Sequence, residues 1–74
     1  MAGVEKIIEK MNRQPHGIRF EEISKVLNHF GYIEVRSDGS HHHFRNKNGD
    51  VVTIKKSQPV KAVYVKDVLR RIGK

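Results

Sequence analysis

Apolar residues fall at Val4, Ile7, Ile8 and Met11, the spacing of one face of a helix. The pattern predicts a short amphipathic helix over about 4–12. Gln14-Pro15-His16-Gly17 closes it, since proline and glycine both interrupt helices. A second stripe, Phe20, Ile23, Val26, Leu27 and Phe30, predicts a helix from Phe20 to Phe30, with Gly31 as its stop. The period then changes. Ile33 and Val35 alternate with Glu34 and Arg36, which predicts a half-buried strand from Tyr32 to Ser37. Asp38-Gly39 is a hairpin signal because both residues tolerate positive φ. A second strand is predicted from His41 to Lys47, a turn at Asn48-Gly49, and a third strand from Asp50 to Lys56. Beyond Pro59, the apolar positions Val65, Val68, Leu69 and Ile72 predict a last helix. Arg70 and Arg71 sit in its final turn, where cations complement the helix dipole.

The order α-α-β-β-β-α predicts an α+β domain. Its three-stranded antiparallel sheet needs one face covered, and the helices are the only cover available. Alternation along the strands then assigns side chains to faces. Ile33, Val35, Val52 and Ile54 are expected to point at the helices. Phe44, the one large apolar residue of the second strand, joins them, and His42 shares its parity. Arg36, His41, His43, Arg45, Thr53 and Lys55 are expected on the open face, which becomes polar and basic.

Composition sharpens this picture. The chain has 74 residues and no cysteine, which excludes disulfides and cysteine-based zinc sites. One small domain, 1–74, is the expected count, near the lower limit for a self-sufficient core. No apolar run approaches the roughly 20 residues of a membrane span. The first residues lack the apolar stretch of a secretory signal, so a cytoplasmic protein with no membrane contact is expected. Fifteen Lys and Arg stand against eight Asp and Glu, a formal charge of +7. That excess favours a polyanionic partner such as RNA. It is concentrated late in the chain: from Lys55 to Lys74 there are seven basic residues and one acidic residue, Asp67.

The stretch Ser37-Asp38-Gly39-Ser40-His41-His42-His43-Phe44-Arg45 carries the candidate chemistry. Histidines on an exposed strand are often plain polar surface. His41 and His43, two apart on one face, have the spacing of a metal pair but no evident third ligand, so no metal or other cofactor is expected. His42 reads as a partly buried structural residue, His16 as a turn residue and His29 as helix surface. Lys55-Lys56 is equally readable as a solubilising pair. Phe20, Phe30 and Phe44 read as core, which argues against recognition of single strands by exposed aromatics.

Gly39-Ser40-His41-His42-His43-Phe44-Arg45, then Asn48-Gly49-Asp50-Val51-Val52-Thr53-Ile54, then a basic loop and Tyr64-Val65-Lys66-Asp67-Val68-Leu69-Arg70-Arg71-Ile72, resembles the HicA toxins of bacterial toxin–antitoxin pairs. The resemblance runs from about Phe20 to Ile72. It implies a double-stranded-RNA-binding-like fold, a ribonuclease acting on mRNA, and a HicB-type antitoxin that covers the active face. The family's key histidine follows Gly-Ser, which is His41 here. Members with another residue before the histidine point to His42 instead, so both stay open. The helix over about 4–12 precedes the part that resembles the family.

A metal-independent endoribonuclease needs a group near neutrality to take the proton of the 2′-hydroxyl, and histidine suits that role. Cations stabilise the charge that develops on the phosphate. His41, with His42 as the alternative, is therefore the expected catalytic group. Arg36, His43, Arg45, Lys55 and Lys56 are expected to bind or polarise phosphate, and Ser40 to orient the histidine or touch the RNA. A non-catalytic RNA-binding module on the same fold is the competing reading. Exposed sheet edges also leave a homodimer open.

Overall fold

The computed structural model describes residues 3–73. Three helices, α1 (Val4–Arg13), α2 (Phe20–His29) and α3 (Ala62–Ile72), cover one face of a sheet built from β1 (Ile33–Asp38), β2 (His41–Arg45) and β3 (Val51–Lys55). The strands are antiparallel in the order β1-β2-β3. The predicted element order is therefore the observed one. The Gln14–Gly17 interruption forms a short 3-10 turn over Pro15–Gly17.

Every helix contributes to one core. Met11 of α1, Ile23, Val26 and Leu27 of α2, and Val65 and Val68 of α3 are fully buried against Phe44, Val52 and Ile54 of the sheet. Each such side chain contributes about 1.5–3 kcal/mol through removal from water. The first helix is thus part of the packing unit. It is also tied to α2 by an ion pair from Lys10 to Glu22 at 3.1 Å. Glu22 additionally accepts the Arg19 backbone N–H at 3.0 Å, satisfying a donor that the start of α2 would leave orphaned. Burial pushes the Glu22 carboxyl up, but these contacts outweigh it and hold it below the usual range.

Two expectations about β1 fail. Ile33 and Val35 do not face the helices; they are 65% and 59% exposed. The cause is a β-bulge between Glu34 and Arg36. Glu34 lies opposite Phe44, yet Arg36 lies opposite His43, so Val35 is the extra residue. The bulge absorbs one step of alternation. Arg36 keeps its expected outward position, while Ile33, opposite Arg45, moves to the open face. The hairpin is also shifted by one residue. Asp38 pairs with His41, leaving Gly39-Ser40 as the loop, with Gly39 at φ +60°. That first loop position is where a II′-type turn requires glycine.

Candidate active site

The Gly39-Ser40 loop and the end of β3 meet at one end of the sheet. His41 opens β2 between Asp38 of β1 and Lys55 of β3. The chain leaves β3 at Lys56, whose backbone N–H donates to the Ser40 carbonyl at 2.7 Å. This bond fixes Lys56 beside the histidine run. The imidazole of His41 and the ammonium of Lys55 make no hydrogen bond or ion pair among the described residues. The same holds for the guanidinium of Arg45, which sits exposed at the far end of β2.

Each of the three histidines has a different environment. His42 faces the helices as its parity predicts, opposite Ile54. Its ring packs on Phe20 with 4.7 Å between centroids. Its Nδ1 meets the Glu34 carboxylate at 2.9 Å. A carboxylate only accepts, so Nδ1 carries the proton in the neutral ring and Nε2 is left with the lone pair. Lys56 Nζ lies over the Phe20 ring, 5.5 Å from its centroid.

His43 is on the open face with both ring nitrogens engaged. Nε2 is 3.1 Å from Asp38 Oδ2 and Nδ1 is 2.9 Å from Thr53 Oγ1. Asp38 is held in turn by Arg36 at 2.7 Å. Hydrogen bonds from Arg36 first, and His43 second, hold the Asp38 carboxyl below its usual range. Arg36 and His43 are therefore spent on one another's partner. Of the three histidines, only His41 has neither ring nitrogen in a hydrogen bond.

The expected open-face group is thus divided. His41 and Lys55 are adjacent and unengaged, Arg36 and His43 are tied into a network, and Arg45 is displaced along β2. Lys56 belongs to the helix side of the sheet, where it approaches Phe20 and not the open face. Ser40 is exposed in the loop. Glu34 and Asp38 were not expected as neighbours of the histidines. Glu34 reaches His42 only because the bulge places it opposite Phe44. No trio of metal-ligating side chains forms among the described residues, and no helix among them is long and apolar enough to cross a membrane.

Neither the curated proteins nor the solved structures provide a match. The family model described as the HicA toxin of bacterial toxin–antitoxin systems matches residues 20–74. That span holds α2, the whole sheet with its Gly39-Ser40-His41 corner, and α3. The chain belongs to the HicA toxin family.

Proposed function

We propose that this toxin is a metal-independent endoribonuclease that cuts mRNA, with His41 as its catalytic histidine. The observation that carries the reading is the corner itself. An imidazole with both nitrogens unengaged lies directly across the ladder from an unengaged ammonium, Lys55. In the proposed step His41 takes the proton of a ribose 2′-hydroxyl. The oxygen attacks the adjacent phosphorus, the P–O5′ bond breaks with the 5′-oxygen taking a proton from solvent water, and a 2′,3′-cyclic phosphate remains. Lys55 lies where it can stabilise the charge that builds on the phosphate. Arg45, Lys56 and Ser40 contribute phosphate or sugar contacts, while Arg36 and His43 support the site through Asp38.

His42 is the alternative catalytic group, and one contact favours it. Glu34 fixes its tautomer so that Nε2 is the basic nitrogen. Neighbours in a strand face opposite sides, so a single phosphate meets one of these two histidines. A non-catalytic RNA-binding module is the second functional reading; on its side stands the lack of any side chain orienting His41.

RNA cleavage in EDTA, with wild type beside separate His41→Ala and His42→Ala variants, tests the proposal. Loss in His41→Ala alone, with RNA binding kept, is the expected result. Loss in His42→Ala alone moves the chemistry to the helix side of the sheet. RNA bound but uncut by wild type leaves a binding module.

The partner proposed from the family is a HicB-type antitoxin, acting with the toxin in the cytoplasm. It has to cover a surface of strongly positive charge, so its contact face is acidic and the complex weakens with salt.

A further inference from the structure

A groove on α2 is not used by the histidine corner. It is an open depression of about 420 Å³ lined by Phe20, Glu21, Ser24, Lys25, Asn28 and Lys56. That is within the range of about 300–1,000 Å³ for small-ligand clefts. Ser24 and Asn28 are one turn apart on the same helix stripe, so both present hydrogen-bonding groups along its floor. Lys56 links the groove to the corner. Its backbone is bonded to Ser40, one residue before His41, and its side chain reaches over Phe20 into the groove.

We infer that this groove is a nucleotide subsite of the toxin, seating a base of the RNA on the other side of edge strand β3 from the cleaved phosphate. The inference rests on the RNA-directed reading above. The strand passes from His41 around the edge of β3 at Lys56, which holds a phosphate, and lays a following base on α2. Ser24 and Asn28 then donate and accept at the base edge, and Glu21 accepts from an exocyclic amino group. Glu21 makes a purely phosphate-lined track unfavourable, whereas it suits adenine, cytosine or guanine over uracil. The large exposed apolar side chains, Ile33, Val35, Val51 and Val63, lie on the sheet and α3. A protein partner is served better there than by this polar groove.

The test uses the full chain and single-stranded 12-nucleotide RNAs. The probes are an adenine-rich and a uracil-only sequence, each in a 2′-fluoro form that cannot be cut and in a natural form. Ser24→Ala/Asn28→Ala is the main variant; both positions are at the helix surface, and circular dichroism checks the fold. Expected is about ten-fold weaker binding of the adenine-rich 2′-fluoro RNA, the effect of two lost hydrogen bonds, with little change for the uracil-only one. On natural RNA, KM rises and the preferred cut sites shift, with kcat retained. Glu21→Gln narrows the gap between the two sequences. Equal binding of both RNAs by wild type and variant overturns the inference. So does an unchanged RNA response accompanied by weaker association with the antitoxin, which makes the groove a protein contact. Binding effects as expected, without cleavage by any form, refute the nuclease reading and leave the subsite standing.

Discussion

The two ends of the sheet differ in how their charges are used. At the Asn46–Asp50 turn the side chains of Asn46 and Asp50 are both engaged. Asn46 Oδ1 accepts from the backbone of Asn48 and Asp50. Tyr32 donates to Asp50 at 2.6 Å, and Arg71 spans Asp50 at 2.7 Å and Asp67 at 3.0 Å. This clip fastens the end of α3 and the start of β1 to the β2–β3 turn. At the Gly39-Ser40 end, His41 and Lys55 have no such partners. Among the described residues, unpaired cations lie near both ends, Arg45 being one at the Asn46–Asp50 side, but only at the Gly39-Ser40 end does an unpaired imidazole lie beside an unpaired ammonium. The first end holds the fold, and the second is the surface proposed to meet RNA.

The largest expected effect separates the two. His41→Ala lowers the cleavage rate by about 10²–10⁴-fold and leaves Tm unchanged within error. A matching fall in Tm would make His41 a structural residue and erase the contrast. Arg71→Ala is expected to do the reverse. Its charged hydrogen bonds are partly exposed, so the loss is about 1 kcal/mol, a fall in Tm of about 4–8 °C for a domain of this size. Cleavage per folded molecule stays the same. Thermal melts beside single-turnover cleavage decide both cases.

The clip also has a pH signature. The Tyr32 hydroxyl and then Arg71 hold the Asp50 carboxyl below its usual range. At Asp67 burial acts upward, but the bonds from Arg71 and Arg70 prevail and its carboxyl is also lowered. A carboxyl whose folded pKa is depressed contributes its full stability above the unfolded value, near 3.8 here. That contribution is lost as pH falls through the folded value. Denaturant midpoints are therefore expected to fall below about pH 4, and less steeply in Arg71→Ala. Parallel pH dependence in the two proteins would place the acid-labile contacts elsewhere.

The sequence makes the helices and strands readable because each has its own hydrophobic period, and the Gly39-Ser40-His41 run with Phe44 carries the family. Alternation put His41 and Lys55 on one face, but their direct pairing depends on the register, since a two-residue turn at Asn48-Gly49 would set His41 opposite Lys56 and the structure closes the hairpin over Asn46–Asp50. What could not be read depends on register or on distance along the chain. Nothing in Ile33-Glu34-Val35-Arg36 marks a bulge, and alternation alone sent Ile33 and Val35 into the core. The same bulge sets Glu34 beside His42, so that contact was hidden as well. The Tyr32–Asp50 and Asp50–Arg71 bonds join residues 18 and 21 apart, and no local pattern encodes them. Alternation already set Lys55 and Lys56 on opposite sides, but not that Lys56 lies over Phe20.

The smallest expected effect is at His43, and it probes the contrast from inside the open face. His43 is two residues from His41 on the same side of the same strand, so proximity alone would give it a share in the chemistry. Its bonding argues otherwise. Asp38 accepts the Nε2–H, and in the neutral ring Nδ1 accepts from the Thr53 hydroxyl. Neither nitrogen is left to exchange a proton with RNA without breaking a bond. His43→Ala should then cost stability only, below about 1 kcal/mol because the network is largely at the surface, and should change cleavage by less than about three-fold. His43→Asn, which can still bond both neighbours, should recover part of the stability. A loss of cleavage in His43→Ala as deep as in His41→Ala would show that an engaged imidazole can still be the working one. Engagement would then no longer separate the scaffold of this toxin from its site.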